Sequence, residues 1–478
     1  MKGFAGMFSA TLALAQMAVW FSASSAMAQD YTHPKAMQLP APAFQRPAAT
    51  DLQLVLDNGL VAYVALDRRA PLVTINAYIG VGRGHGDPGA AEAMAAALRR
   101  GPAGTTQEVF RAALADMQAE YTVTLGHEET QLSLDVLAED ANAALELMAS
   151  VIRAPAFEST ATAPSVSAAS AGVDGGIDYA SSLQGAIDLF ESRLFEGHAF
   201  ARRADGSGAA AKVLHGEMAR GGNITLAVAG DIDPATARQQ VRALFAGIAE
   251  GSVDSEAVFD PLAALASRSL VLADVDRDQG WVVIGHELPV IPPEDEAALH
   301  VMDYILGAYH LDSRLYRSSR ELRGLTNDNS SFLQPGVRGP GSYTFRTYGR
   351  PEAVRLLIDV TFRQLALMRD TRVTDDELLV ARGALVDGLY AERYATGLDA
   401  ANAYAVEWLR RGSHDRSASY PERIAAVTAE KVQAAARKYI HPERMTIAVV
   451  GPLDRIRSAA AIEGEARLED YGRPASPR

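Results

Sequence analysis

Few residues in this sequence have the types and spacing that hydrolytic chemistry needs. Two histidines four residues apart on one helix face often bind zinc, but none of the ten histidines has a second histidine at that spacing. Cysteine is absent, which excludes disulfides, thiolate zinc sites and a cysteine nucleophile. There is no Gly-x-Ser-x-Gly segment, and Glu92 has no evident partner acid. The sequence therefore gives no support to a serine or carboxylate mechanism.

Two groups of polar residues could approach a cleft. They are His85 and the run His127-Glu128-Glu129, which lies between two predicted strands. The alternative is that His127 belongs to an exposed turn, and we favour this interpretation because strand junctions usually lie at the surface. Metal binding at either group has little support.

The elements that would position these residues are strands alternating with helices. An Asn58-Gly59 turn between two apolar runs predicts a β-hairpin. Pro71–Val81 has few polar interruptions and predicts a strand buried on both faces. Asp87-Pro88 predicts the start of a helix that runs through Leu98 and carries Glu92, with Asp as the cap and Pro in the first helical position.

One apolar segment occurs twice in similar form. Asn223–Gly230 resembles Arg444–Gly451, and each copy follows a helical run and precedes an acidic turn. A repeat this long predicts a duplicated domain rather than a repeat array. We expect the seam in the stretch from Ala249 to Arg268.

The N-terminus and the composition restrict where the protein works and what it binds. Lys2, the apolar stretch Phe4–Trp20 and the small-residue site at Ala26-Met27-Ala28 predict a cleavable signal peptide over residues 1–28, the alternative being a membrane anchor. Residues 29–50 are rich in Pro and Ala and predict a tether. The net charge of −14 and the lack of dense basic runs make nucleic acid an unexpected partner. We expect a periplasmic protein that does not span the membrane after signal cleavage.

Ordered blocks in both halves resemble one peptidase family. They are Leu56-Asp57-Asn58-Gly59-Leu60, Pro71-Leu72-Val73, Val81-Gly82, Pro88-Gly89 and Pro155-Ala156-Phe157, then Ile305-Leu306-Gly307, Ser313-Arg314-Leu315, Arg320–Leu325 and Val373–Leu378. These blocks resemble the insulinase and pitrilysin-type metallopeptidases, most of all their short bacterial processing-peptidase branch. The resemblance implies an α+β fold of two homologous α/β-sandwich domains, each a mainly antiparallel sheet packed with helices, arranged as a clamp. It implies a first domain at 51–250, a linker at 251–268, a second domain at 269–465 and a C-terminal tail at 466–478.

The catalytic motif of that family is degenerate here. Active members carry His-x-x-Glu-His on the first helix, where two imidazoles bind zinc and the glutamate activates its water. The corresponding positions in this chain are Glu92, Ala95 and Ala96. The family's further glutamate ligand also has no counterpart between Ser159 and Val173, with Glu158 and Asp174 only bracketing that stretch. A catalytic zinc takes three protein ligands, so the sequence predicts no metal, no cofactor and no catalytic residues in this chain.

The resemblance also suggests substrate-binding residues in the second half. The family's substrate-binding arginine is kept as Arg320, whereas Asn327 stands where the family has tyrosine. An arginine can bind a peptide carbonyl or carboxylate, but a structural pairing of Arg320 with Glu321 or Asp328 is an equal alternative. The loop from Gly336 to Gly341, which includes Gly339, weakly resembles a substrate-binding glycine-rich loop, and a plain hairpin turn is the alternative that we favour.

The sequence leaves three functional hypotheses. The first is a non-catalytic subunit that binds peptides together with an active, zinc-bearing paralogue in a heterodimer. The second is a stand-alone peptide-binding or scaffold protein of the envelope, which could form a homodimer. The third is an active hydrolase with an unrecognised site.

Overall fold

The computed structural model describes residues 44–157, 183–203, 205–252, 259–308 and 311–475. The predicted signal peptide, most of the predicted tether, part of the predicted linker and the carboxylates Glu158 and Asp174 lie outside these ranges. Both sheets belong to a single compact unit that begins at Arg46.

The described residues form two six-stranded sheets of nearly identical topology. The first has the order β1-β2-β6-β3-β5-β4 and the second the order β12-β7-β11-β8-β10-β9. In the first sheet the strands are β1 Gln53–Val55, β2 Val61–Leu66, β3 Leu72–Ile79, β4 Glu120–Leu125, β5 Thr130–Leu137 and β6 Ile224–Gly230. In the second they are β7 Ser269–Asp274, β8 Gly280–Leu288, β9 Asn329–Gln334, β10 Gly341–Gly349, β11 Thr446–Gly451 and β12 Arg473–Ala475.

The two similar apolar segments occupy equivalent places in these sheets. They contain β6 and β11, which are buried along their whole length. Each pairs in parallel with one neighbour, β2 or β7, and antiparallel with the other, β3 or β8. The remaining shared pairings are antiparallel. The predicted α+β class and the duplicated, mainly antiparallel sheets are therefore confirmed.

The two sheets differ in their outer edge strands. β1 forms an antiparallel hairpin with β2, whereas β12 comes from the C-terminal end and runs parallel to β7. The residues from 466 onward, which we expected to be a tail, thus extend the second sheet. Leu468 and Tyr471 are buried just before β12, and apolar burial explains why this segment stays against the core.

Helices cover the sheets on both faces. Those of the first half are α1 Ala49–Leu52, α2 Ala90–Arg100, α3 Gln107–Asp116, α4 Ala141–Arg153, α5 Leu183–Leu194, α6 Gly208–Met218 and α7 Pro234–Phe245. Those of the second half are α8 Pro293–Leu306, α9 Arg314–Tyr316, α10 Val354–Asp370, α11 Asp375–Gly383, α12 Gly397–Arg411, α13 Asp415–Ala418, α14 Tyr420–Ala425, α15 Ala429–Tyr439 and α16 Leu453–Ser458. Two π-helical segments, Arg317–Glu321 and Ala384–Tyr390, continue α9 and α11.

Each sheet is covered on one face by a helix from the other half. We call these two helices, α5 and α12, the exchanged helices. Helix α5, from the first half, packs Phe190 against Val283 and Val450 in the second sheet. Helix α12, from the second half, packs Tyr404 against Tyr63 in the first sheet. Because each sheet buries one face under a helix of the other half, the predicted domains 51–250 and 269–465 do not pack as independent units.

Local geometry confirms one sequence prediction and corrects another. The Asn58-Gly59 turn joins β1 to β2, with Gly59 at φ 91° and the Asn58 amide bonded to the carbonyls of Phe245 and Ile248. Helix α2, however, begins at Ala90 and is capped by Gly89 rather than by Asp87. Gly89 has φ 80°, a left-handed conformation that favours glycine, so the chain turns at Gly89 before the helix can begin.

Candidate functional site

The degenerate motif positions lie on helix α2, in the core of the first half. Ala95 is fully buried, and Glu92 is only 7% exposed. The Glu92 carboxylate accepts a hydrogen bond from the backbone N–H of Arg203 at 3.1 Å. Burial, partly offset by that N–H and by Arg83, raises the pKa of Glu92. The one acidic group on this helix is therefore already engaged inside the protein.

Arginines lie beside Glu92, where active relatives would hold a metal cation. Arg83 Nε is 3.9 Å from Glu92 Oε1 and has no hydrogen-bond partner among the described residues. Burial lowers the pKa of Arg83, and the nearby Arg202 lowers it further. Arg202 itself contacts Asp188 at 2.8 Å. The local positive charge is thus supplied by guanidinium groups.

The nearby histidines are half-buried and contact aromatic rings. His127 stacks on Phe200 with centroids 4.8 Å apart, and His85 meets Phe259 edge-on at 4.9 Å. Burial, with Arg83 and Arg202, lowers the pKa of His127 to about 3. Burial and Arg338 lower the pKa of His85 to about 4. His127 lies in a turn between two strands, as expected, but this turn is half-buried rather than exposed because Phe195 and Phe200 cover part of the His127 ring.

These residues do not fit a catalytic zinc. Ala95 and Ala96 have no donor atoms, and the Glu92 carboxylate faces a guanidinium and a backbone N–H. Across the described ranges, no group of three or more His, Asp or Glu side chains is arranged to hold a metal ion. A zinc site with three protein ligands cannot be built from the side chains that are described here.

A cavity of about 530 Å³ opens beside α2, between the first sheet and the β9–β10 hairpin of the second half. The first half contributes strand β4 and the run from Gly126 to Glu129, and the second half contributes the loop from Gln334 to Ser342. We call this cavity the inter-sheet cleft. Its charged lining residues are Arg83, Arg99, Arg202, Arg410, Glu128, Glu129 and Glu191.

The glycine-rich loop binds a carboxylate of the first half. Glu128 Oε1 accepts hydrogen bonds from the backbone N–H groups of Val337 at 2.9 Å, Arg338 at 3.2 Å and Gly339 at 3.1 Å. Successive backbone N–H groups form a natural anion-binding site. The loop is therefore a hairpin turn, as favoured from the sequence, and also a contact that joins the two halves.

The glycines of this loop are required by close packing. A Cβ atom on Gly339 would lie 2.6 Å from the Phe200 ring, and one on Gly341 would lie 2.2 Å from the Gln334 carbonyl oxygen. Real Cβ atoms essentially never approach that closely. Gly339 and Gly341 were candidates for substrate binding, and the structure places Gly341 in the cleft lining and Gly339 against Phe200 and Glu128.

Two arginines bind main-chain and carboxylate groups at the cleft wall. Arg410 of α12 holds Glu129 through both carboxylate oxygens, one contact being Nε to Oε2 at 2.8 Å. Arg99 of α2 donates from Nε and Nη2 to the Val123 carbonyl at 3.2 and 2.8 Å. Val123 lies on β4, the edge strand of the first sheet, so Arg99 occupies a hydrogen-bonding position that an added strand would use.

Arg320 and Asn327 lie at the opposite end of the β9–β10 hairpin from the glycine-rich loop. Arg320 donates to the Asn327 carbonyl at 3.2 Å and lies 5.2 Å from the Tyr316 ring centroid. Both residues line a separate depression beside the start of β9. The structure therefore brings Arg320 and Asn327 together but separates them from Gly339 and Gly341 by the length of a strand of six residues, ~20 Å.

Comparison with known proteins agrees with this geometry. Residues 212–385 match the family described as "Peptidase M16 inactive domain", a segment that runs from α6 across the seam into the second half. This segment of the chain therefore resembles an M16 peptidase inactive domain. The insulinase-type resemblance predicted from the sequence is thereby confirmed.

Individual proteins similar to this chain are distant in sequence. The chain is 28% identical over 242 residues to a Streptomyces coelicolor protein named an uncharacterized zinc protease, covering 48% of this chain and 50% of that protein. The chain thus spans about half the length of this curated relative. A peptidase M16 inactive domain from Pseudomonas fluorescens has a TM-score of 0.67 and 21% identity, covering 84% of this chain and 98% of that one. A Helicobacter pylori protease has a TM-score of 0.64 and 14% identity, covering 84% and 99%.

The sequence alone did not indicate the arginines of the inter-sheet cleft. Arg83, Arg99, Arg202 and Arg410 line the cleft, yet none lies in a motif. Their partners are distant in sequence, as with Arg410 and Glu129, so only the fold brings them together. Arg99-Arg100 and Arg410-Arg411, each at the end of a helical run, were visible signals, but adjacent arginines there also suit the helix dipole.

Proposed function

We propose that this chain is a non-catalytic, periplasmic subunit that binds peptides together with an active, zinc-bearing paralogue. The proposal rests on the absence of the metal-binding motif from helix α2. Glu92, Ala95 and Ala96 replace the metal-binding motif, and Glu92 is engaged by Arg203 and Arg83. A peptide-sized cleft nevertheless persists beside the helix.

The cleft supports peptide binding by strand addition. Strand β4 ends the first sheet, and an extended peptide can pair with such an edge through backbone hydrogen bonds. Arg99 must release the Val123 carbonyl for this pairing to include that residue. Peptide binding would therefore exchange the two Arg99 hydrogen bonds for those of the added strand.

The exchanged helices support the need for a second chain. Because α5 covers the second sheet and α12 covers the first, the halves cannot hinge apart without exposing buried aromatic residues such as Phe190 and Tyr404. A peptide therefore has to be enclosed by another protein rather than by closure of this chain on itself.

Exposed apolar side chains support a protein partner. Leu311, Leu322 and Leu379 of the second half are 65%, 76% and 72% exposed. A nearby surface groove of about 660 Å³ is lined by Leu322, Leu367 and Val380 together with charged residues. Clustered exposed apolar residues rimmed by charge are typical of protein interaction sites. None of the described helices is long and apolar enough to cross a membrane.

The test is affinity purification of the tagged chain from the periplasm of its own organism. We expect a mature N-terminus at Gln29 and a co-purifying paralogue that contains zinc and an intact His-x-x-Glu-His motif. The recovered complex should cleave a mixed peptide pool, and the isolated chain should not. The double variant Leu322→Glu/Leu379→Glu should lose the paralogue, whereas the surface control Arg457→Gln should retain it.

Other results would change the assignment. Recovery of the chain only as a homodimer that binds peptides without cleavage would replace the subunit proposal by a stand-alone peptide-binding protein. Cleavage by the isolated chain, abolished by chelation, would overturn it.

A further inference from the structure

A second cavity, of about 510 Å³, lies within the second half and carries an unusual charge. Five arginines line it against two carboxylates, those of Glu296 and Glu407; the arginines are Arg393, Arg410, Arg411, Arg416 and Arg423. We call this cavity the arginine pocket. The whole chain has a net charge of −14, so this concentration of guanidinium groups opposes the overall charge.

The carboxylates of the arginine pocket do not neutralise it. Glu296 lies 2.9 Å from Arg423, 3.6 Å from Arg416 and 3.7 Å from Arg411, so one carboxylate serves three guanidinium groups. Glu407 accepts the backbone N–H of Ser417 at 3.0 Å. With Arg410 held by Glu129, four guanidinium groups remain against two carboxylates.

Two of these guanidinium groups have N–H donors without a hydrogen-bond partner among the described residues. Arg423 Nε is buried and has no hydrogen-bond partner among the described residues. The exposed side chain of Arg393 makes no hydrogen bond or ion pair within the described part of the chain, although it lies near His300 and Tyr420. Guanidinium groups with free N–H donors in a concave site bind carboxylates well.

The other wall of the arginine pocket is apolar. The rings of Tyr390 and Tyr420 stack with centroids 5.5 Å apart, and Leu333, Leu385 and Leu389 complete the surface. A small inorganic anion has no apolar surface that could pack against this wall. Guanidinium groups beside an apolar wall instead suit an amino-acid residue with an apolar side chain and a free carboxylate.

The arginine pocket adjoins the inter-sheet cleft. Gln334, Pro335, Val337 and Arg410 line both cavities, so the base of the β9–β10 loop separates them. A peptide in the cleft can therefore extend over this loop and place its end among the arginines.

We propose that the arginine pocket binds the C-terminal residue of a peptide, with the carboxylate on Arg393, Arg416 and Arg423 and an apolar side chain against Leu385, Leu389 and Tyr390. This inference rests on the proposed peptide-binding function and names the part of the peptide that is recognised.

The test compares two fluorescein-labelled decapeptides of Ala and Ser that end in Leu, one with a free carboxylate and one with a terminal amide. Fluorescence anisotropy is measured with the full mature chain at 0.15 M salt. We expect the free acid to bind about tenfold more tightly than the amide, the difference that one charge-assisted hydrogen bond supplies. Arg393→Gln should remove most of that difference without changing the melting temperature, and Arg457→Gln should preserve it.

Each other outcome has a defined meaning. Equal binding of acid and amide, or no effect of Arg393→Gln, would overturn the inference while leaving peptide binding intact. An amidated peptide with one internal Glu that binds as tightly as the free acid would move recognition to acidic side chains and overturn the C-terminal assignment.

A small probe separates this inference from the proposed function. If N-acetyl-leucine raises the melting temperature of the wild type but not of Arg393→Gln, and neither decapeptide binds, the carboxylate site stands and the peptide-binding function fails. If inorganic phosphate gives the same stabilisation as N-acetyl-leucine, the site is a general anion site and the inference is wrong.

Discussion

Arg99 donates two hydrogen bonds to the carbonyl oxygen of Val123, at 3.2 and 2.8 Å. The arginine lies on the helix that carries the degenerate motif, and the carbonyl belongs to the edge strand of the same half. The contact protects this edge from pairing with other strands.

Removal of the Arg99 side chain should open the edge. We expect Arg99→Ala to bind an extended peptide about 3- to 10-fold more tightly than the wild type, since the two Arg99 hydrogen bonds to Val123 no longer have to be broken. The measurement is anisotropy of a labelled peptide, with Arg100→Ala as the neighbouring control. Unchanged or weaker binding by Arg99→Ala would argue against strand addition at β4.

Glu128 should stabilise the contact between the halves. Glu128→Ala leaves the backbone N–H groups of Val337, Arg338 and Gly339 without their carboxylate, and we expect the free energy of unfolding to fall by about 1–3 kcal/mol. Urea denaturation measures this loss, and Glu250→Ala, at an exposed position, is the control. A loss equal to that of the control would show that the loop does not depend on Glu128.

Glu92 should make stability depend on pH. Burial raises the pKa of Glu92 in the folded state. Its contribution to the free energy of unfolding is therefore fully present below the unfolded-state pKa of about 4.3, and it is lost as the pH rises through the folded-state pKa. Glu92→Gln cannot ionise and should still accept the Arg203 N–H bond. We therefore expect its stability, relative to the wild type, to increase from pH 4 to pH 8.

Urea denaturation at several pH values measures this difference. Glu108→Gln, at an exposed position of α3, should show little or no such increase. A difference between Glu92→Gln and wild type that is constant with pH would mean that Glu92 titrates normally in the folded protein.

The exchanged helices should make the two halves unfold together. A chain produced without residues 1–28 contains two tryptophans: Trp281, beside α5 on the second sheet, and Trp408, on α12 against the first sheet. We expect Trp281→Phe and Trp408→Phe to give coincident urea transitions by fluorescence, because neither sheet keeps its cover if the other half unfolds. Two separated transitions would show that the halves are independent.

The sequence predicted features that depend on neighbouring residues. The Asn58-Gly59 hairpin, the duplicated central strands and the loss of the zinc motif at Glu92, Ala95 and Ala96 are all local patterns. The predicted start of α2 was wrong by a few residues. Asp87 is a plausible cap in the sequence, and the sequence does not reveal that Gly89 has a positive φ.

The sequence did not predict features that depend on distant contacts. His127 is half-buried because Phe200 stacks on it, and Glu128 binds a loop 209 positions away at Val337. The exchange of α5 and α12 also left no local signal, since an apolar helix face does not specify which sheet it covers. Such contacts are set by the packing of the whole chain.

The most direct test of the account is the zinc content of the purified mature chain. The chain is incubated with excess zinc, desalted and measured by metal analysis, and cleavage of a mixed peptide pool is assayed on the same sample. We predict far less than one zinc per chain and no cleavage, because Glu92, Ala95 and Ala96 cannot supply three ligands. One tightly bound zinc per chain, with cleavage that is lost on chelation, would contradict the account.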